Sequence, residues 1–171
     1  MMIGIILILL CMIRVPSAMI SARNEKQIKA NGGVEYGMNN SKLLIAVQGL
    51  IYLGCIIYAF VYDVQFSWLT IVGLLVYLFS LVTLMYVIRT LSPFWTFKLY
   101  IAKDHKLVES PLFKHVRHPN YYMNIIPELI GFALISQAWI VFIPLFILHL
   151  ITLINRISLE EKVMKQTFQQ Y

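Results

Sequence analysis

Three of the four histidines of this 171-residue chain fall between residues 105 and 122, in the run His-Lys-Leu-Val-Glu-Ser-Pro-Leu-Phe-Lys-His-Val-Arg-His-Pro-Asn-Tyr-Tyr. Arg117 and His118 stand side by side just ahead of Pro119. A proline opens a helix readily at its first helical position, where free backbone donors favour an anion. Arg117 adds a charge that is never lost at ordinary pH. Such a set suits the gripping of an oxyanion; the blander use of a basic pair is to anchor a membrane span to lipid headgroups. A second cluster holds Arg156 and Glu160, four residues apart and so on one helix face. Spacing alone favours a helix-stabilising pair worth roughly 0.2–0.5 kcal/mol. The sharper alternative is an arginine for an acceptor anion, with a carboxylate for the cationic or hydroxyl-rich part of a cofactor. Glu128 follows Pro127 inside an apolar run, and a carboxylate there should face protein or a cavity. It either touches substrate or is neutral and hydrogen-bonded to a neighbour such as Gln48. His149, also within an apolar run, is expected to hydrogen-bond between helices.

The elements that position these residues must sit in lipid. With 60% hydrophobic and 13% charged residues, the chain is too apolar for a soluble globule of this size. The net charge of +6 lies beside apolar segments, which points to an anionic membrane surface and not to nucleic acid. Cys11 and Cys55 both fall in apolar runs and read as small buried hydrophobes, neither a disulfide nor a metal pair. The first ten residues lack the basic start of a signal peptide, so the first run is read as a retained helix. There is no glycine-rich phosphate loop, no dinucleotide fingerprint and no zinc spacing.

Five apolar runs are expected to be helices: from Met1 to about Ile20, Lys42 to Tyr62, Trp68 to about Ile88, Pro119 to near Gln137, and Trp139 to about Ile154. A closing helix follows from Asn155. A run of about 20 residues spans the ~30 Å hydrocarbon core. The turns near Asp63 and Gln137 carry no lysine or arginine, whereas the loops at 21–42 and 89–118 and the tail are basic. The positive-inside rule then places the basic regions in the cytoplasm. The expected fold is an all-α integral membrane protein of about five transmembrane helices, with a cytosolic interfacial loop and a C-terminal helix. Its N-terminus lies outside and its C-terminus inside. The last two runs are joined by a very short turn, so they are antiparallel neighbours. Their cytoplasmic ends bring the 105–122 stretch to Arg156 and Glu160.

These residues resemble the isoprenylcysteine carboxyl methyltransferase family. The likeness rests on His105-x-Leu107-Val108, Ser110, Phe113, Arg117-His118-Pro119-x-Tyr121 and Arg156-x-x-x-Glu160-Glu161. A weaker echo is Arg23-x-Glu25 followed by Gly33-x-Glu35-x-Gly37. The resemblance implies one membrane methyltransferase domain over residues 1–171, with S-adenosylmethionine held by about residues 98–171. Cofactor contacts would fall on His105, Lys106, Leu107, Val108, Phe113, His118, Pro119, Asn120, Tyr121 and Glu160. Arg156 would bind the acceptor with Arg117 assisting, and Glu128 is a further substrate candidate. The family's Ser-Gly-x-Tyr is Ser110-Pro111-Leu112-Phe113 here, Met123 replaces a small glycine, and Asn124 to Glu128 departs from the eukaryotic enzymes. Those departures resemble a bacterial branch acting on lipophilic acceptors such as alkylpyrones, in the bacterial plasma membrane. The expected partners are a lipophilic or prenylated acceptor and membrane lipids.

Competing functions are a phospholipid N-methyltransferase, for which Glu128 would serve as proton acceptor, and a non-enzymatic scaffold binding lipid headgroups. A membrane sterol reductase has a related C-terminal region, but this chain is short for one.

Overall fold

A computed structural model describes residues 1–101, 110, 112 and 115–167. The chain is an all-α membrane protein in architecture, with one small ribbon added. Helix α1 (Met2–Ala30) is followed by strand β1 (Val34–Tyr36), α2 (Met38–Val61) and α3 (Trp68–Leu91). Strand β2 (Leu99–Ile101) pairs antiparallel with β1, setting Glu35 opposite Tyr100. A π-helical segment (Asn120–Ile125) runs into α4 (Ile126–Ser136), and α5 (Trp139–Thr167) closes the described chain.

Among the described residues four helices, α1, α2, α3 and α5, are long and apolar enough to cross a membrane. Their outward faces carry residues such as Leu9, Leu53, Leu75 and Ile147, while Leu7, Ile51, Tyr77, Leu129 and Leu153 pack inside. The expected fourth run is helical too, in two pieces, and most of α4 is buried. It starts beside the basic loops and reaches the opposite end, where Gln137 Nε2 donates to Ser67 Oγ at 3.1 Å. Its seam with α3 is very close: a Cβ built on Gly73 would lie 2.8 Å from the Gly131 carbonyl oxygen. Small residues let helix backbones approach in this way in membranes.

Two boundaries differ from expectation. Helix α1 continues through the polar residues beyond Ile20, because that polar face is covered by the 92–101 segment. Asn24 Nδ2 donates to the Trp95 carbonyl at 2.8 Å, the Phe97 amide donates to Ser21 Oγ at 2.9 Å, and Lys98 pairs with Glu25 at 2.7 Å. That pair holds the Lys98 ammonium above its ordinary lysine range, chiefly through its hydrogen bond to Glu25. The closing helix expected from Asn155 is the continuation of α5, with no break between Ile154 and Arg156. Cys11 and Cys55 are both free thiols.

Candidate active site

Tyr121 is the hub of the polar cluster at the basic end. It lies at the start of the π-helical segment and is buried. Its hydroxyl donates to Glu160 Oε2 at 2.6 Å and accepts from Arg156 Nε at 3.2 Å. Arg156 and Glu160 share a helix face as their spacing requires, yet they meet through this hydroxyl and not as the simple helix pair that spacing favoured. The rest of the Arg156 guanidinium donates to Ser41 Oγ at 2.6 Å and to the Phe97 carbonyl at 3.4 Å. Arg156 is only 3% exposed, and every described partner of its guanidinium is a neutral oxygen. Among the described residues its charge is balanced at one remove, through Tyr121 to Glu160.

His118 completes the cluster. Its ring stacks on Tyr121 at 5.7 Å, Nδ1 faces Glu160 at 3.5 Å, and Nε2 faces Glu161 at 3.4 Å. Burial by itself would depress this imidazole, but the hydrogen bonds and negative charges of the two glutamates outweigh it. They hold His118 above the ordinary histidine range. A carboxylate at each nitrogen favours the doubly protonated ring over the neutral one more than water does.

Ser41, a residue that the sequence did not single out, reaches this cluster because Gly37 turns the chain into α2. Gly37 has φ +63°, a left-handed conformation that side chains rarely adopt, and the Ser41 amide donates to its carbonyl at 2.9 Å. Glycine 37 is the last residue of the weak Gly33-x-Glu35-x-Gly37 signal. Glu35, at its centre, accepts from the Tyr100 hydroxyl across the ribbon. Burial, and then that bond, raise Tyr100 well above the usual phenol range.

A second polar cluster lies further along the same helix. Arg14 Nη2 pairs with Glu128 Oε2 at 2.8 Å and Arg14 Nη1 donates to Asn124 Oδ1 at 3.1 Å. The other oxygen of Glu128 accepts from the Tyr52 hydroxyl at 2.7 Å, and Gln48 donates to that same hydroxyl at 2.6 Å. Glu128 thus meets Gln48 only through Tyr52, and as a substrate candidate it is fully buried with both oxygens engaged. That Arg14, Tyr52 and Asn124 meet in this cluster was not legible, since residues so far apart in sequence leave no periodic trace; an arginine in an apolar run either snorkels or faces protein, and Arg14 faces protein.

Of the other candidates, Pro119 is buried, and Asn120 accepts from Asn124 at 3.0 Å. Arg117 is exposed and stands outside the hydrogen-bonded cluster. His105, Lys106, Leu107, Val108 and Phe113 lie outside the described residues. His149 does not bridge helices as expected. It is fully buried with neither ring nitrogen hydrogen-bonded.

The protein is thus a membrane helix bundle that gathers arginine, histidine and glutamates in one buried cluster at its basic end. The chain belongs to the isoprenylcysteine carboxyl methyltransferase (ICMT) family, whose model matches residues 71–166. It is therefore a member of a membrane methyltransferase family. An uncharacterised protein of Haemophilus influenzae is 41% identical over 156 residues, covering 91% of both chains. The uncharacterised protein YpbQ of Bacillus subtilis is 24% identical over 167 residues, covering 96% of this chain and 98% of that one. No solved structure matches.

Proposed function

We propose that the protein is an S-adenosylmethionine-dependent O-methyltransferase that acts on an anionic oxygen, a carboxylate or enol, of a lipophilic acceptor. The observation that carries this is the state of Arg156: a buried guanidinium bonded, among the described residues, to neutral oxygens, beside a cluster of carboxylates. Arg14, by contrast, is committed to Glu128. An acceptor anion arriving at Arg156 meets a charge that no carboxylate among the described residues contacts directly, and low-dielectric surroundings strengthen that attraction.

The donor set fits the cofactor class. Glu160 and Glu161 are acceptors suited to ribose hydroxyls or an ammonium group, and His118 and Tyr121 offer aromatic faces beside them. S-Adenosylmethionine supplies an electrophilic methyl on a sulfonium. The residues of this chain position and desolvate: His118, Pro119, Asn120, Tyr121 and Glu160 hold the cofactor with the 105–108 stretch and Phe113, while Arg156, assisted by Arg117, orients the acceptor. An acceptor that is already anionic needs no general base, only alignment and exclusion of water. The engagement of both Glu128 oxygens favours this over methylation of a neutral amine, for which a free proton acceptor is required. A prenylcysteine or an alkylpyrone both have the needed oxyanion and apolar tail, the tail lying in the bilayer of a bacterial plasma membrane.

The test is calorimetric titration of the purified protein with S-adenosylhomocysteine, followed by labelled-methyl transfer to prenylcysteine, alkylpyrone and phosphatidylethanolamine. Saturable binding and transfer to one of the two oxyanion acceptors are expected. Glu160→Ala should weaken binding about tenfold, the worth of one hydrogen bond to a charged group. Arg156→Ala should lower kcat/KM roughly 100-fold or more, as for loss of an oxyanion donor. Absence of binding by the folded wild type, or full activity in either variant, removes the proposal.

A further inference from the structure

We propose that Arg14 is a positioning residue: by clamping Asn124 and Glu128 it holds the π-helical register of residues 120–125, and that register aims the Tyr121 hydroxyl at Arg156 and Glu160. The consequence for ligand binding rests on the function proposed above; the clamp itself does not.

A π-helical turn is uncommon and is found mostly as a single turn at functional sites. Six residues of it, Asn120–Ile125, separate His118 from α4. At its start the amides of Tyr121 and Tyr122 both reach the His118 carbonyl, at 3.1 and 3.2 Å. At its end the Ile126 amide donates to the Tyr121 carbonyl. The two residues that Arg14 grips, Asn124 and Glu128, lie on either side of the junction between π-helix and α-helix. Asn124 passes the restraint back to Asn120 at 3.0 Å, and Tyr52 fixes Glu128 from α2 at 2.7 Å. One guanidinium from α1 therefore ties the end of the π-helical segment and the first turn of α4 to a helix outside them.

The reason that matters is rotational. Removing one residue of π-bulge restores the regular helix and turns everything before it by about 100°, the rotation per residue of an α-helix. Tyr121 precedes the junction, and Glu128 follows it. If the segment relaxed to α-helix while Glu128 stayed in place, the Tyr121 ring would leave both Arg156 and Glu160. The cost of a charged pair within a membrane domain is then explained by what it positions.

The experiment places 3-fluorotyrosine at position 121, and separately at the exposed Tyr62 as control, and records ¹⁹F spectra of purified wild type, Arg14→Met, Arg14→Lys and Glu128→Gln. The Tyr121 resonance is expected to move in Arg14→Met and Glu128→Gln, and less in Arg14→Lys, while the Tyr62 resonance stays. Affinity for S-adenosylhomocysteine should fall about tenfold in the same two variants, the effect of one misplaced hydrogen bond to a charged group. A Tyr121 resonance that coincides with wild type in a folded variant overturns the clamp, whatever the loss of melting temperature. Should Arg14→Met not fold, the isosteric Glu128→Gln decides. If wild type binds no S-adenosylhomocysteine, the methyltransferase function fails, and the ¹⁹F comparison still decides the clamp.

Discussion

At the scale of single residues, the cluster works because each charge is answered by a different kind of partner. Arg156 meets neutral oxygens, His118 meets two carboxylates, and the Tyr121 hydroxyl lies between the arginine and Glu160. The His118 arrangement has a definite dependence on pH. The folded protein holds the imidazolium above its ordinary range, so protons favour the folded state. The stabilisation is complete below the unfolded value of about 6.5 and is lost as pH rises through the higher folded value. Thermal melts of wild type and His118→Gln should therefore differ most at mildly acidic pH, by about 1.5 kcal/mol if one hydrogen bond to a charged group is lost. The gap should narrow as pH increases. A gap that stays constant or widens with pH would mean that His118 is neutral in the folded protein. The types and spacing of these residues were legible in the sequence, including Arg156, Glu160 and His118. The contribution of Ser41 was not, because a serine opening an apolar helix looks like an ordinary start signal until α5 is laid against it.

At the scale of elements, lipid as solvent made the helices readable. A continuous apolar run must satisfy its own backbone, and helix is the only form open to a single segment. That logic places α2 and α3 within a few residues of expectation, and it fails for the far end of α1. Beyond Ile20 the residues turn polar, so composition suggests a loop, yet Ser21, Asn24 and Glu25 have fixed partners on the 92–101 segment. Polar residues paired across tertiary contacts look like solvated ones in a sequence. The seam between α3 and α4 was equally unmarked, since Gly73 and Gly131 lie far apart along the chain. There the backbones are too close for any side chain: a Cβ on Gly131 would lie 2.9 Å from the Gly73 carbonyl oxygen and 3.0 Å from the Tyr77 amide nitrogen. Gly131→Ala should thus destabilise the protein by about 1–3 kcal/mol through overpacking. Gly49, which has open space around it, serves as control, and Gly49→Ala should cost far less. Equal losses of detergent-solubilised melting temperature in the two variants would show that the seam is not the tight contact described.

At the scale of the whole molecule, the organising fact is that the basic segments gather at one end. The far end of α1 is tied to the 92–101 segment, Ser41 to Arg156, and His118 to the tail glutamates. The opposite end holds the turn at Asp63 and the Gln137–Ser67 bond, with no lysine or arginine in either turn. The sequence anticipated the meeting of His118 and Tyr121 with α5 because two antiparallel neighbours must share an end. It did not anticipate that Arg14 ties α1 to Asn124 and Glu128, since an arginine in an apolar run can snorkel or face protein and its spacing does not name the partner it finds. The charge asymmetry further predicts which end faces the cytoplasm. In a variant with Cys11 and Cys55 replaced by alanine, single cysteines at the exposed positions Lys26, Gln65 and Lys165 report on both ends. In intact bacterial cells a membrane-impermeant maleimide should label Gln65→Cys and leave Lys26→Cys and Lys165→Cys unlabelled until the membrane is opened. The positive-inside rule gives this direction, because lysine and arginine are retained on the cytoplasmic side. It is also what a water-soluble cofactor requires, as the Tyr121 cluster is then reached from the cytosol while an acceptor's apolar tail stays in the bilayer. The reverse labelling pattern would put the cluster on the side away from the cytosolic cofactor, and the proposed chemistry would have no donor.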